Sequence, residues 1–199
     1  LNLFDLYAEF TALYPDITLE IDTSVSLRNL NQQEFDVAIR FVEEPYEMLV
    51  GNHLGILEYG AYAHRSYLQR FGRAPELGDL GWIFMKKGVN DWGGKSDYSS
   101  IAKLYRQLDR PRIVKQSDDS RVVESAILEG AGAGFLSHLH ASKHPELVEI
   151  TGYELGTSNH VWVLTHRDQR QTIKVQHFMA FVTERLRKAL GEIGGDGQQ

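Results

Sequence analysis

The sequence has no cysteine, which removes disulfide frameworks, thiolate zinc sites and cysteine nucleophiles at once and is compatible with a reducing compartment. It also lacks any apolar run approaching the roughly 18 residues of a membrane-spanning helix, because charges or turn residues interrupt every hydrophobic stretch. No membrane partner is therefore expected. Positive charge is in short supply: 21 lysines and arginines stand against 27 aspartates and glutamates, a net charge of −6 with the histidines neutral. Such a chain is poorly suited to grip a phosphate backbone by itself. A G-x-S-x-G nucleophile elbow is missing, as is any internal repeat with a period of roughly 20–50 residues. The first residue is Leu1 rather than Met, so a segment is expected upstream. What is present is ordinary: 42% hydrophobic and 24% charged residues over 199 positions suffice for a soluble domain or two small ones.

Periodicity orders the chain. Leu3, Leu6, Tyr7, Phe10, Leu13 and Tyr14 recur at three- and four-residue intervals, the apolar face of a helix that Pro15 ends. Ile17, Leu19 and Ile21 alternate with polar residues, and so do Phe35, Val37 and Ile39, the period of strands. A short helix fits between them at Leu27–Gln33. Helix, strand, helix, strand is the alternation of an open parallel α/β sheet. Further on, Tyr59–Tyr67 reads as a strand running into a helix that ends near Gly72, Trp82–Met85 as a buried strand and residues 88–100 as a long surface loop. Arg112–Gln116 is a strand, followed by the N-capping cluster Ser117, Asp118, Asp119 and Ser120 and a helix bearing Val122, Val123, Ala126 and Ile127. Residues 160–165 form another buried strand, and Ile173 to Leu190 a final helix with Arg185, Arg187 and Lys188 in its last turns, where a helix dipole favours cations.

Four features invite a chemical reading. Gly130, Gly132 and Gly134 suggest a phosphate cradle, but they follow a helix and precede a strand, the reverse of a dinucleotide loop, so helix capping and close packing explain them. His138, His140 and His144, with Glu146, could bind zinc, yet the spacing fits no recognised site and a solvated loop accounts for them. Asp118 and Asp119 could be an acid/base pair or could cap a helix, with capping favoured. Arg40 ends an alternating strand, where open α/β sheets bind ligands. It either forks onto a carboxylate or forms an internal ion pair with Asp36 or Glu43.

Taken in order, these segments resemble the effector-binding domain of LysR-type transcriptional regulators. The resemblance rests on Phe10-x-x-x-Tyr14-Pro15-Asp16-Ile17-x-Leu19, on Phe35-Asp36-Val37-Ala38-Ile39-Arg40, and on Gly60-Ala61-Tyr62-Ala63 followed by Tyr67-Leu68. Glu129 to Phe135, Val161-Trp162-Val163-Leu164, and Phe178-Met179-x-Phe181-Val182 extend it over roughly Leu3 to Leu190. It implies an α/β, two-lobed fold of the type 2 periplasmic-binding-protein kind, with two crossovers and an interlobe cleft. Lobe one would comprise residues 1–63 plus 164–190, its first strand lying upstream of Leu1; lobe two would comprise 64–163, and 191–199 would be a flexible tail. The implied function is that of a cytoplasmic sensor, binding a small-molecule effector between its lobes. It would form a homodimer or tetramer and touch promoter DNA only through an N-terminal helix-turn-helix domain outside this sequence. A type 2 extracytoplasmic solute-binding protein of a transporter is the alternative. Neither reading implies an enzyme, a catalytic residue, a metal or a cofactor. The resemblance assigns ligand contacts to Thr23, Ser24, Val25 and Arg40 in one lobe and to Gln116, Ser117 and Asp118 in the other. Arg40 with helix N-termini favours a carboxylate, and the two acids favour a cationic group, so an amino-acid-like zwitterion would meet both.

Overall fold

The computed structural model describes residues 3–22, 35–42, 44, 45, 47–85, 104, 106–108 and 110–194. In chain order they form α1 (Phe4–Leu13), β1 (Ala38–Phe41), β2 (Leu49–His64), α2 (Arg65–Gln69), β3 (Gly81–Met85), β4 (Arg112–Ser117) and α3 (Ser120–Leu128). Then come β5 (Ala133–Ser137), α4 (His138–Ala141), β6 (Leu147–Glu149), β7 (Thr157–His166) and α5 (Ile173–Gly194). The helix expected at 27–33 and the loop expected at 88–100 lie outside the described residues. The chain divides into two units, residues 1–57 with 159–199 and residues 58–158. Strands β2 and β7 both run across that division.

In unit one, α1 turns the face predicted by its spacing onto α5. Leu6 and Phe10 are buried, and the Phe10 ring meets Phe178 edge-on at 4.9 Å and Phe181 at 5.4 Å. Helix α5 continues past Leu190, so Arg185, Arg187 and Lys188 are not in its last turn, which holds no basic residue. Arg185 is placed instead by a partner, Glu9 of α1, and Arg187 by the carbonyl of His53, at 2.8 and 2.9 Å. Strand β1 pairs antiparallel with β7, Arg40 standing opposite Trp162, and β7 neighbours β2. Along β7 the fully buried Val161 and Val163 alternate with half-buried His160 and Trp162, so one sheet face is apolar, and the other carries these rings beside a small buried cluster of Leu49 and Leu164. The alternation at 17–21 survives as half-buried Ile17 and Leu19 between exposed Thr18 and Glu20, but Ile21 is exposed and no ladder forms. Alternation sets burial, whereas a strand also needs a neighbour for its backbone groups.

Unit two holds the strand order β2-β5-β3-β4, with β6 on β2. Its β3 is parallel to β4 and β5, and β2 is antiparallel to β5 and β6. The sheet is therefore mixed and not the open parallel one that the alternation suggested. Helix α3 carries the chain from β4 back to β5, so that both lie parallel to β3, whereas β2 and β7 are connecting strands that meet their neighbours head to tail. Both faces of this sheet are apolar. Ala61, Ala63, Trp82, Phe84 and Ala133 belong to one buried cluster, and the intervening Tyr62 and Ile83, with Val123 and Ile127 of α3, to another. Trp82, Phe84 and Phe135 stack with centroids 5.6–6.2 Å apart.

The three glycines act as the capping reading requires. Gly130, at φ +69°, ends α3: its N–H donates to Ile127 O and that of Ala131 to Ala126 O, a Schellman closure. At Gly134 an added Cβ would stand 2.4 Å from Ile127 Cδ1, and at Gly132 2.6 Å from the carbonyl of Gly81, so neighbours press directly on the backbone. The histidine segment departs from expectation. It is the short helix α4, capped by Ser137 accepting from His140 N at 3.2 Å, and not a solvated loop.

Candidate functional site

Strand β4 delivers Gln116 and Ser117 to its C-terminal end, and α3 starts three residues later. Ser117 Oγ accepts from the N–H of Asp119 at 3.1 Å, which fixes the turn between strand and helix. Asp119 is the N-cap: its Oδ1 accepts from Arg121 N at 2.9 Å, while the Arg121 guanidinium closes on both carboxylate oxygens at 3.0 and 3.2 Å. The Arg121 side-chain bond, then its backbone bond, hold the Asp119 carboxyl below the usual aspartate range. Asp119 is thus a structural acid, and its charge is answered within α3. Asp118 is exposed at the bend just before it.

A pocket of about 180 Å³ opens beside this turn, lined by Lys115, Gln116 and Ser117 of β4, by Ile83 of β3 and by Val122, Val123 and Ala126 of α3. Lys115 and Ser117 lie on the Ile83 face of β4, the face that α3 covers, so the lining pairs an apolar floor with one cation and one hydroxyl toward the carboxyl ends of two parallel strands, where open α/β sheets take their ligands; Gln116, opposite Phe84, lines it from the strand between them. Among the expected contacts, Gln116 and Ser117 line this pocket and Asp118 does not. Lys115 was missed. The signal was available, since a strand reading Arg-Ile-Val-Lys-Gln-Ser ends in three consecutive polar residues.

Unit one carries the other expected contact. Arg40 is half-buried on β1, and burial lowers its pKa from the ordinary arginine value against the opposing pull of Asp22. Asp36, one of its two anticipated partners, is occupied by Lys174 at 2.7 Å, while Glu43 lies outside the described residues, as do Thr23, Ser24 and Val25. On the same sheet face stand Trp162, whose indole N–H donates to Val42 O at 3.1 Å, and the pair His53 and His160, with His160 Nδ1 2.9 Å from His53 Nε2. The His53 ring also packs against Trp162 at 4.9 Å. Burial first, then His160 and Arg187, lower the pKa of His53. No sequence signal joins two histidines 107 positions apart.

The histidines that sequence proximity does join have separate partners. His138 Nδ1 bonds the Tyr62 hydroxyl at 2.5 Å, and His144 bonds Glu146 at 3.1 Å. Burial, then Glu149, push the Tyr62 phenol up to about 12. Among the described residues no three or more His, Asp or Glu side chains converge as metal ligands, and no helix is long and apolar enough to cross a membrane.

Two α/β units, joined twice through strands β2 and β7, define the two-lobed class built like type 2 periplasmic binding proteins. The profile of the LysR substrate binding domain matches residues 2–187, and the chain belongs to that family. It is similar in structure to the regulatory domain of CrgA, a LysR-type transcriptional regulator from Neisseria meningitidis, with TM-score 0.74 and 21% identity over 92% of this chain and 91% of that one. The effector domain of the transcriptional regulator AmpR of Pseudomonas aeruginosa gives TM-score 0.68 and 15% identity, over 96% and 91% of the two chains. The regulatory domain of AphB from Vibrio vulnificus gives 0.67 and 18%, over 92% and 91%. A comparison with curated protein sequences finds no match. The chain is a ligand-sensing regulatory domain.

Proposed function

We propose that this domain senses a small carboxylate-bearing metabolite in the cytoplasm, without turning it over, and passes the signal to a DNA-binding domain N-terminal to it. The observation that carries the ligand class is the pocket at the end of β4, where Lys115, Gln116 and Ser117 surround an apolar floor. The lysine and the hydroxyl supply donors to a carboxylate, and Val122, Val123 and Ile83 suit a hydrocarbon body. Because Asp119 is paired with Arg121 and Asp118 does not line the pocket, the demand for a cationic group on the ligand falls away, and a plain carboxylate becomes the better fit than a zwitterion. Arg40 is the anion contact proposed for unit one. It sits on a sheet face with His160 and Trp162 and not among apolar neighbours alone. Thr23, Ser24 and Val25 remain proposed contacts.

The assembly proposed is a homodimer, or a tetramer of the longer protein. Large apolar side chains stand exposed on α1, Phe4 at 71% and Leu13 at 57%, and on β4, Ile113 at 36% and Val114 at 40%. A dimer would cover such surfaces. Thermal unfolding across a library of carboxylates, amino acids and neutral analogues tests the ligand class. A ligand at 100 times its dissociation constant stabilises by about 2.7 kcal/mol. Stabilisation by carboxylates that is lost in Lys115→Ala supports the reading. A preference for amino-bearing over plain carboxylates contradicts it.

A further inference from the structure

The His53–His160 pair is left unused by the sensing site, and its two facing ring nitrogens are hydrogen-bonded to one another. His160 is the second residue of unit one after β7 enters it, and His53 lies four residues before β2 leaves it, so the pair ties together the two strands that connect the units. His160 Nδ1 and His53 Nε2 are 2.9 Å apart. Two imidazole nitrogens on one ion, each about 2.0–2.1 Å from it, stand about 2.9 Å apart at a right angle and about 3.3 Å apart at the tetrahedral angle. The observed separation matches the right angle, which square-planar and tetragonal copper(II) and nickel(II) sites prefer.

The surroundings favour one tautomer of His53. Its ring makes a hydrogen bond with the Gly55 backbone that favours the protonated ring, so the imidazole donates and the carbonyl accepts. With Nε2 facing His160, that bond falls to Nδ1, leaving the lone pair on Nε2. A ring nitrogen donating to a backbone carbonyl while the other nitrogen stays open is the outer-shell arrangement that orients metal-ligating histidines. Trp162 packs on the same ring, and Arg187 holds the His53 carbonyl, so ring and backbone are both positioned before any ion arrives.

We propose that His53 Nε2 and His160 Nδ1 chelate a divalent copper- or nickel-class ion across β2 and β7. In the empty pair one proton lies between the two nitrogens. On binding, His160 carries that proton on Nε2 instead of Nδ1, and both facing lone pairs turn to the metal with no net proton lost from the pair. The site does not depend on the small-carboxylate reading, and loss of either leaves the other standing.

Trp162 supplies the readout, because a paramagnetic ion on His53 lies within quenching distance of the indole. The 199-residue chain is titrated with Cu²⁺ or Ni²⁺ in a non-chelating buffer, with Mg²⁺ as control, and followed by tryptophan fluorescence and calorimetry. Expected are saturable quenching reversed by EDTA, tighter for Cu²⁺ than for Ni²⁺, and affinity weakened by about tenfold or more in His53→Gln and in His160→Gln. Trp162→Phe should keep the calorimetric binding and lose the quenching. Ni²⁺ broadening of the His53 and His160 imidazole resonances in the unmodified chain reads the same site without any variant. Binding unchanged in both histidine variants, binding abolished only by His140→Gln or His144→Gln, or no saturation below about 1 mM would each overturn the proposal.

Discussion

The two units bury their sheets differently. Unit two covers both faces: Ala61, Trp82 and Phe84 pack on one side, and Tyr62, Ile83 and Ile127 on the other. Its pocket opens where β4 ends, at Lys115, Gln116 and Ser117. Unit one buries Val161 and Val163 on one face of β7 and sets His160, Trp162 and Arg40 on the other, half-buried. A sheet packed on both faces favours recognition at its strand ends, whereas one whose second face carries only a small apolar cluster, Leu49 with Leu164, offers a strand face as well. The pocket of unit two and the ring cluster of unit one follow from that difference.

The contrast can be broken at its strongest point first. Trp82→Ala removes the largest ring of a three-ring cluster and should cost about 3–5 kcal/mol in denaturant unfolding, whereas Trp82→Phe should cost much less. The indole N–H of Trp82 has no hydrogen-bond partner among the described residues, so the phenyl ring also removes an unsatisfied donor. Equal losses would show that the indole itself is needed. In unit one, neighbours on a single strand should separate the two faces: Val163→Ala should cost about 1–3 kcal/mol and His160→Gln under about 1 kcal/mol. Similar values for both would contradict that separation of the faces. Gly130→Ala, forced into the left-handed region at the end of α3, should cost about 1–2 kcal/mol, measured by the same unfolding. The smallest effect is a matter of pH. The Asp119 carboxyl is held below its usual value, so its stabilisation is present above the unfolded aspartate pKa of about 3.9 and fades as pH falls through the lower folded value. The melting difference between the parent chain and Asp119→Asn should therefore shrink as acid is added.

Much of the fold was legible where periodicity and caps agreed. Phe10 at its helical spacing, the Asp119 cap and the glycines closing α3 behave as their sequence context requires. Strand β2 shows where that reading stops. It begins at Leu49, ten residues before the expected start at Tyr59, because Gly51 and Gly55 lower the apparent strand propensity. At Gly51 an added Cβ would lie 1.9 Å from Val163 O, so the residue that weakens the pattern is the one that lets β7 approach. Strand β6 and helix α4 are too short to leave a period. In the site, Gln116 and Ser117 were legible from the strand-to-helix turn, whereas His53, His160 and Trp162 meet only through the pairing of remote strands.

Ligand-induced thermal stabilisation, compared between the parent chain and Lys115→Ala, tests the account most directly. The account predicts that a small carboxylate raises the melting temperature of the parent chain, that Lys115→Ala folds with the same unliganded melting temperature, and that the ligand-induced shift is lost in it. A carboxylate shift that persists undiminished in Lys115→Ala would contradict a sensing pocket at the end of β4.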